Sequence, residues 1–309
     1  MKTGYGIYIS SNKMKACVLS LFLFLTMGIQ ACSTDDREQD IADVSYTGQT
    51  YAVRTQELPS ERDGMRIYGL LYLPEGRAGK LPTVIFSHGL AGTNASVAAY
   101  ARVLATQGYA CYCFDFCGGA PSNRSDGETT EMSIFTEQAD LEAVIGNLLG
   151  QEFVDAENLF LMGTSQGGMV SALTAAAHPE TIRGLVLLYP AFCIPDNMTA
   201  IFPSFSDVPE TYYFRWLNIG RPYFEHLYGF DPYAVIGSYK KEVLLLHGDN
   251  DGIVPISYSR RAVEAYPSAR LETFRGAGHG FYDDDFKTAA GFILEYMSEH
   301  LNQMKSRNR

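Results

Sequence analysis

One serine in the chain has the surroundings of an enzymatic nucleophile. Gly163-Thr164-Ser165-Gln166-Gly167 has the pattern G-x-S-x-G, between the apolar run 158–162 and the small-residue run 168–177. A strand followed at once by a helix predicts a sharp, strained turn that exposes the Ser165 hydroxyl. The positive end of the following helix favours a developing anion at this point. The pattern therefore predicts nucleophilic attack by Ser165 on a carbonyl carbon.

A serine hydroxyl needs a base to remove its proton, and the chain has six histidines. His279 lies in the glycine-flanked loop GAGHGF, between the last predicted strand and the last predicted helix. This late position suits the chain order of serine, acid and histidine. His88 precedes glycine at the end of an earlier predicted strand, where it is expected to brace its loop. We therefore predict His279 as the base.

The acid that orients this histidine is expected after a strand between residues 165 and 279. The segment HGDNDGIVP, residues 247–255, follows the apolar run 243–246 and contains Asp249 and Asp251. A buried carboxylate at either position could hold the imidazole tautomer and stabilise the imidazolium. Spacing alone does not separate the two, and Asp196, after the preceding strand, is a third candidate.

Two backbone N–H groups are needed to stabilise the oxyanion of a tetrahedral intermediate. Gln166, directly after the nucleophile, is predicted to supply one. The loop HGLAG, residues 88–92, follows the apolar strand TVIFS, and Leu90 is predicted to supply the other. This chemistry requires neither a metal ion nor an organic cofactor, and we expect none.

The elements that position these residues alternate between strands and helices. Apolar strands are predicted near residues 83–87, 109–116, 159–162, 182–188 and 242–246, separated by helical segments, after two antiparallel opening strands at 50–57 and 65–73. Such alternation predicts an α/β fold with a mostly parallel sheet covered by helices on both faces. Ligands bind at the carboxyl ends of the strands in such sheets, and the predicted site residues follow strand ends.

Six segments together resemble the α/β-hydrolase superfamily over residues 50–305, and within it the cinnamoyl/feruloyl esterase-like group. They are HGLAG, FDFCGGAPSNRSDG, TEQADLEAVI, GTSQGG, HGDNDGIVP and GAGHGF. The resemblance implies an eight-stranded sheet and a triad of Ser165, His279 and Asp251, with Asp251 rather than Asp249 as the acid. It also implies an oxyanion hole at Leu90 and Gln166.

Residues 190–239 form an insertion between two predicted strands and hold 13 of the chain's aromatic residues within 50 positions, twice the overall share of 13%. This excess predicts a lid of short helices or hairpins over the site. Aromatic walls suit an aromatic or extended apolar acyl group, and we select Trp216, Tyr213 and Phe192 as substrate-binding candidates. The alternative is that these rings form the insertion's own small core.

The N-terminus has the features of an export signal. Residues 1–15 contain three lysines and no acid, and residues 16–29 are apolar or small but too few to span a bilayer comfortably. Ile29-Gln30-Ala31-Cys32 resembles the bacterial lipoprotein box, which implies cleavage after residue 31 and lipidation of Cys32. Residues 32–49 then form a polar linker. The chain is expected in the cell envelope, periplasmic or surface-facing, and attached to a membrane only through this lipid; an ordinary secretory signal is the alternative.

Charge and cysteine content limit the remaining possibilities. The net charge is −11, with 24 basic and 35 acidic residues, which argues against a nucleic-acid partner. Cysteines 111, 113, 117 and 193 are expected to be buried apolar residues. A disulfide from Cys193 to Cys113 or Cys117 is the alternative.

Together these features predict a serine carboxylic-ester hydrolase. Its expected substrates are small-molecule or polysaccharide-linked esters, from which it releases hydroxycinnamoyl (feruloyl-type) or other acyl groups. A short-chain acyl or acetyl esterase and a peptidase are alternatives within the same machinery. A catalytically silent binding protein is an alternative from another class, although the candidate serine, histidine and acid are all present.

Overall fold

The computed structural model describes residues 50–307 of the chain, with the side chains of residues 50–301. The predicted signal peptide at 1–31, the lipidation site Cys32 and the linker as far as residue 49 lie outside the described residues. Within residues 50–307, no helix combines the length and the apolar character needed to cross a bilayer.

Strands and helices alternate through most of the described chain. Short 3-10 turns occur at Asn94–Ser96, Phe205–Asp207 and Arg221–Tyr223. The strands and α-helices, in chain order, are β1 (Val53–Glu57), β2 (Ser60–Arg62), β3 (Met65–Ile67), β4 (Gly69–Pro74), β5 (Leu81–Ser87), α1 (Ala98–Thr106), β6 (Ala110–Phe114), α2 (Ile134–Leu149), β7 (Val154–Thr164), α3 (Ser165–Ala177), β8 (Gly184–Leu188), α4 (Ile194–Ile201), β9 (Thr211–Phe214), β10 (Leu217–Gly220), α5 (Pro232–Ile236), β11 (Val243–Gly248), α6 (Ser257–Ala265), β12 (Ala269–Phe274) and α7 (Asp283–Arg307).

Eight strands form one sheet in the order β1-β4-β6-β5-β7-β8-β11-β12. The pairs β1–β4 and β4–β6 are antiparallel. The other six strands of this sheet, β6, β5, β7, β8, β11 and β12, run parallel to one another. The predicted α/β class and eight-stranded, mostly parallel sheet are therefore confirmed. One predicted opening strand differs, because it is interrupted at Tyr68: its first part, β3, pairs with β2 in a separate hairpin.

Apolar side chains cover both faces of the sheet. On β5, Val84 and Phe86 pack with apolar residues of α1 and α7, whereas Ile85 between them packs with α2 and α3. Successive side chains of a strand point to opposite faces, so a strand buried on both sides must be apolar throughout. The predicted helices on both faces of the sheet are confirmed.

The four cysteines of the described chain are buried free thiols. They lie in the two apolar clusters, which confirms the expected packing role, and Cys193 forms no bridge to Cys113 or Cys117. Burial raises the pKa of Cys117 to about 12 and that of Cys193 to about 11, so both thiols stay protonated at neutral pH.

The insertion, residues 190–239, consists of α4, the two-stranded hairpin β9–β10, α5 and two 3-10 turns. Its rings pack against one another: the Phe202 ring centroid lies 5.1 Å from that of Tyr212 and 5.5 Å from that of Phe224. Much of the aromatic excess thus builds the insertion's own core, as the alternative interpretation expected. That the insertion acts as a lid stays a prediction.

Candidate active site

Ser165 lies at the junction of β7 and α3, where the backbone makes a sharp turn. Its φ is +52°, in the left-handed region that a residue with a side chain adopts at a cost. The turn also approaches the end of β5 closely, since a Cβ on Gly167 would lie 2.3 Å from the carbonyl oxygen of His88 and 2.4 Å from that of Ser87. The turn is therefore strained, as the sequence predicts, and it requires glycine at position 167.

Gly167→Ala is expected to destabilise the fold by about 2–3 kcal/mol and to abolish most activity, because backbone atoms that cannot rotate away must move. The measurement is denaturant unfolding together with hydrolysis of an ester. Gly146→Ala on α2 is the matched control: its Cβ would meet nothing within 4 Å, so helix propensity is expected to stabilise this variant by about 0.5–1 kcal/mol. A stable, active Gly167→Ala variant would contradict the close approach.

A chain of hydrogen bonds joins three of the predicted site residues. His279 Nε2 lies 3.0 Å from Ser165 Oγ, and His279 Nδ1 lies 2.7 Å from Asp251 Oδ2. An ionised carboxylate only accepts hydrogen bonds, so the Nδ1 atom carries the proton and Nε2 is left to accept from the serine hydroxyl. The residues follow β7, β12 and β11, so they meet at the carboxyl ends of the parallel strands.

The two other candidate acids form different contacts. Asp249 Oδ1 accepts the backbone N–H of Gly276 at 2.6 Å and so ties two loops together. Asp196 Oδ2 accepts the hydroxyl of Tyr258 at 3.0 Å. Of the three carboxylates, the structure thus brings Asp251 to the imidazole.

A second imidazole, which the sequence analysis did not assign to the site, also contacts Asp251. Nε2 of His247 lies 3.3 Å from Asp251 Oδ2 and 2.9 Å from the carbonyl oxygen of Val254, while Nδ1 lies 2.7 Å from Ser259 Oγ. Because Nε2 faces two acceptors, it carries a proton and donates. The signal in the sequence is the spacing of four residues between His247 and Asp251.

The surroundings of Asp251 favour its ionised form. Burial alone would raise the pKa of this carboxyl, but hydrogen bonds from His247, His279 and the Val254 N–H outweigh burial and hold the pKa well below its usual range. Asp251 therefore stays charged throughout the neutral range. An ionised, buried carboxylate beside an imidazole stabilises the imidazolium that forms when the base takes a proton.

The loop after β5 lies beside the nucleophile, since a Cβ on Gly89 would lie 3.1 Å from Ser165 Cβ. His88 is completely buried and braces this loop: the Phe116 N–H donates to its Nε2 at 3.2 Å, and its Nδ1 lies 2.8 Å from the Gly89 carbonyl oxygen. Burial lowers the pKa of His88, so it is neutral, as a bracing residue should be.

The two predicted N–H donors directly follow the residues of the contact between Gly89 and Ser165 in the chain. Gln166 is the second residue of α3, and the first N–H groups of a helix have no partner within the helix. Leu90 directly follows Gly89, is half-buried and packs against the core. Their action as an oxyanion hole stays a prediction.

Tyr189, a residue that the sequence analysis missed, packs on the candidate base. Its ring centroid lies 4.7 Å from that of His279 and 5.4 Å from that of Phe281. With a φ of +38°, Tyr189 occupies an uncommon backbone conformation directly after β8. This contact restrains the imidazole ring, and an aromatic residue at a strand end is its only sequence signal.

The three predicted substrate-binding residues differ in burial. Phe192 is 1% exposed and its ring lies 5.5 Å from that of Tyr233, so it packs in the core, and substrate binding by Phe192 stays a prediction. Tyr213 and Trp216 are 65% and 58% exposed on the β9–β10 hairpin. The guanidinium of Arg215 lies 5.9 Å from the Trp216 ring. Substrate binding by Tyr213 and Trp216 stays a prediction.

This sheet, covered on both faces and carrying a serine on a strained turn at its carboxyl edge, defines the class of protein as an α/β hydrolase. Comparison with known proteins agrees. A family model described as serine aminopeptidase, S33, matches residues 80–220, and one described as TAP-like protein matches residues 231–302.

Similar proteins and solved structures support the same class. An uncharacterized protein of Mycobacterium tuberculosis is 30% identical over 235 residues, which are 75% of this chain and 72% of that protein. The structure of Est1E from Butyrivibrio proteoclasticus with bound ferulic acid has a TM-score of 0.73 and 25% identity, covering 79% of this chain and 99% of the other. Acetyl xylan esterase 1 from Thermoanaerobacterium shares the fold, with a TM-score of 0.61, 20% identity and coverage of 82% and 86%. The chain belongs to the α/β-hydrolase superfamily.

Proposed function

We propose that this hydrolase is a serine carboxylic-ester hydrolase with Ser165 as nucleophile, His279 as general acid and base, and Asp251 as the orienting carboxylate. The hydrogen-bond chain of these three side chains is the observation that carries the proposal. The strained conformation of Ser165 supports it, because it aims the hydroxyl away from the sheet toward an incoming carbonyl.

In the first half-reaction, Ser165 Oγ attacks the ester carbonyl carbon while His279 Nε2 takes the hydroxyl proton. The carbonyl oxygen becomes an oxyanion that accepts hydrogen bonds from the Leu90 and Gln166 N–H groups. As the intermediate collapses, His279 gives its proton to the leaving alcohol, and an acyl-serine remains. Water, deprotonated by His279, then attacks this ester; the acid departs and the proton returns to Ser165.

The preferred acyl group in this proposal is a hydroxycinnamoyl group of feruloyl type, linked to a plant-derived small molecule or polysaccharide. The support is the exposed rings of Tyr213 and Trp216 and the likeness to Est1E, whose structure contains ferulic acid. Short-chain acyl and acetyl esters are the next candidates, since the same triad serves them.

An aminopeptidase is a second candidate, because the model that matches residues 80–220 bears that description. Hydrolysis of methyl ferulate, naphthyl acetate and an aminoacyl amide by the purified protein separates the three activities. Preference for methyl ferulate is expected, whereas preference for the amide would overturn the esterase proposal. A folded wild type that a fluorophosphonate probe leaves unlabelled would instead indicate a silent binding protein.

We further propose that the chain is exported and held in the cell envelope by a lipid on Cys32. The support is the lipoprotein-like segment at residues 29–32 and the polar residues that follow it. Cys32→Ser is expected to move the full-length protein from the membrane fraction to the soluble fraction of a bacterial host, because the thiol that takes the lipid is lost. Cys193→Ser is the control and should stay with the membrane. Equal distribution of Cys32→Ser and wild type would contradict the anchor.

A further inference from the structure

A second buried imidazole lies behind the proposed triad, and the proposed reaction does not use it. His247 is on β11, and its side chain is completely buried. Both ring nitrogens have partners: Nδ1 lies 2.7 Å from Ser259 Oγ, and Nε2 lies 2.9 Å from the Val254 carbonyl oxygen and 3.3 Å from Asp251 Oδ2. A buried polar ring placed on the orienting carboxylate calls for a physical explanation.

The proton of His247 faces Asp251. A carbonyl oxygen and an ionised carboxylate oxygen only accept hydrogen bonds, so Nε2 carries a proton. In the neutral ring Nδ1 then has a lone pair, and the hydroxyl of Ser259 on α6 donates to it. Ser259 is also completely buried, so this hydroxyl is shielded from solvent. Ser259 therefore favours the tautomer of His247 whose proton faces the carboxylate.

The two oxygens of Asp251 have different kinds of partner. Oδ1 accepts the backbone N–H groups of Ile253 and Val254 at 2.8 and 2.9 Å. Oδ2 accepts from Nδ1 of His279 at 2.7 Å and faces Nε2 of His247 at 3.3 Å. The backbone thus holds Oδ1, and the two imidazoles share Oδ2.

Val254 connects the two halves of this arrangement. Its N–H donates to Asp251 Oδ1, and its carbonyl oxygen accepts from His247 Nε2. His247 therefore restrains the carboxylate directly and also restrains the turn whose N–H groups hold that carboxylate. Because the Asp251 side chain is 0% exposed, water cannot readily replace a lost donor.

We propose that His247 is a positioning residue: held by Ser259, it keeps Asp251 Oδ2 directed at His279 and thereby keeps the base in the tautomer that accepts the serine proton. The inference rests on the proposed serine-hydrolase function. The contacts of His247 reach the carboxylate and its turn, so its effect on the reaction passes through Asp251. Without this donor, the carboxylate and the imidazole of His279 can turn together away from Ser165, and a small misplacement of a reacting group is costly.

Kinetics on naphthyl acetate test this role. His247→Leu replaces the ring by an apolar side chain of similar size and removes the donor to Asp251. It is expected to lower kcat about tenfold to a hundredfold, the scale of one hydrogen bond to a charged group, with little change in KM. His247→Gln keeps an N–H donor at similar reach and should restore most of the lost kcat. Rescue by glutamine separates loss of the donor from loss of packing.

His300→Leu on α7 is the matched control. His300 is also buried, its Nδ1 lies 2.7 Å from the Tyr296 carbonyl oxygen, and its Nε2 lies 3.9 Å from a carboxylate oxygen of Glu242. The same substitution there removes a buried imidazole beside a carboxylate but leaves Asp251 unchanged. It should therefore lower thermal stability and leave kcat near wild type.

Proton NMR of the resting enzyme gives a readout without substrate. The proton between His279 Nδ1 and Asp251 should give a far-downfield resonance, assigned by its loss in His279→Gln. His247→Leu is expected to shift or broaden this resonance, because hydrogen bonds that share an acceptor polarise one another. His247→Gln and His300→Leu should leave it near its wild-type position. A purely structural histidine would not move it.

Wild-type kcat and an unmoved resonance in folded His247→Leu would overturn the inference alone, and so would a His247→Gln variant as slow as His247→Leu. A wild type that neither hydrolyses esters nor takes up a fluorophosphonate would overturn the proposed function, and the inference with it. Should His247→Leu not fold, Ser259→Ala tests the same support from α6. It removes the hydroxyl that selects the His247 tautomer and is expected to lower kcat about tenfold; wild-type kcat in this variant would also contradict the positioning role.

Discussion

Ser165→Ala is expected to lower kcat for ester hydrolysis about a millionfold, the scale seen when a triad nucleophile is removed. The Ser165 hydroxyl lies 3.0 Å from His279 Nε2, and without this hydroxyl no acyl-serine can form. Loss of a hydroxyl at a half-exposed position should leave the fold intact. The measurements are steady-state kinetics, labelling by a fluorophosphonate and thermal unfolding.

Ser171→Ala supplies the control for this prediction. Ser171 is buried on the same helix, and its hydroxyl has no hydrogen-bond partner in the described structure. Removing an unpartnered hydroxyl is expected to leave both activity and probe labelling near wild type. If Ser165→Ala hydrolysed esters as fast as its parent, or if the probe still labelled it, the proposed mechanism would be wrong.

Asp251→Asn is expected to lower kcat about ten-thousandfold, as the equivalent change does in serine proteases. An amide can donate a hydrogen bond to Nδ1 of His279, which favours the tautomer with the proton on Nε2, where the serine proton must go. The lost charge also no longer stabilises the imidazolium. Kinetics on the same ester, with circular dichroism to confirm folding, measure the effect.

Asp249→Asn is the matched control, because it makes the same substitution at the other candidate acid of this loop. An amide oxygen can still accept the Gly276 N–H, so activity is expected to stay close to wild type. The reverse pattern, with Asp249→Asn inactive and Asp251→Asn active, would show that the orienting carboxylate is Asp249 and that the observed hydrogen bond is not the functional one.

The nucleophile turn and the sheet could be predicted from the sequence because their physical requirements are local. Few structures other than a tight strand-to-helix turn accommodate the closely spaced glycines around Ser165, and few other than buried strands accommodate apolar runs of this length. Local sequence does not determine which of Asp249 and Asp251 is the acid. The assignment depends on which carboxylate lies behind the imidazole, and two loops far apart in the chain determine that distance.

Contacts within and around the insertion escaped prediction for a different reason. Phe192 has the residue type of either a ligand-binding wall or a core, and only the fold shows that its ring is buried against Tyr233. Likewise Tyr223 has the residue type of a core ring, and only the fold shows that its hydroxyl donates to the Gln166 carboxamide. The type of a side chain does not reveal which residue, tens of positions away in the chain, it will contact.

The β9–β10 hairpin has a practical consequence for protein engineering. Leu217 and Ile219 are buried and anchor it, whereas Tyr213, Arg215, Trp216 and Asn218 are exposed. Arg215 has a φ of +57°, which many side chains adopt only at a cost, so it is left unchanged. A saturation library restricted to Tyr213, Trp216 and Asn218 should leave expression and melting temperature largely unaltered. Under the proposed substrate-binding role of Tyr213 and Trp216, such a library would yield variants with new acyl preferences while the triad residues stay unchanged.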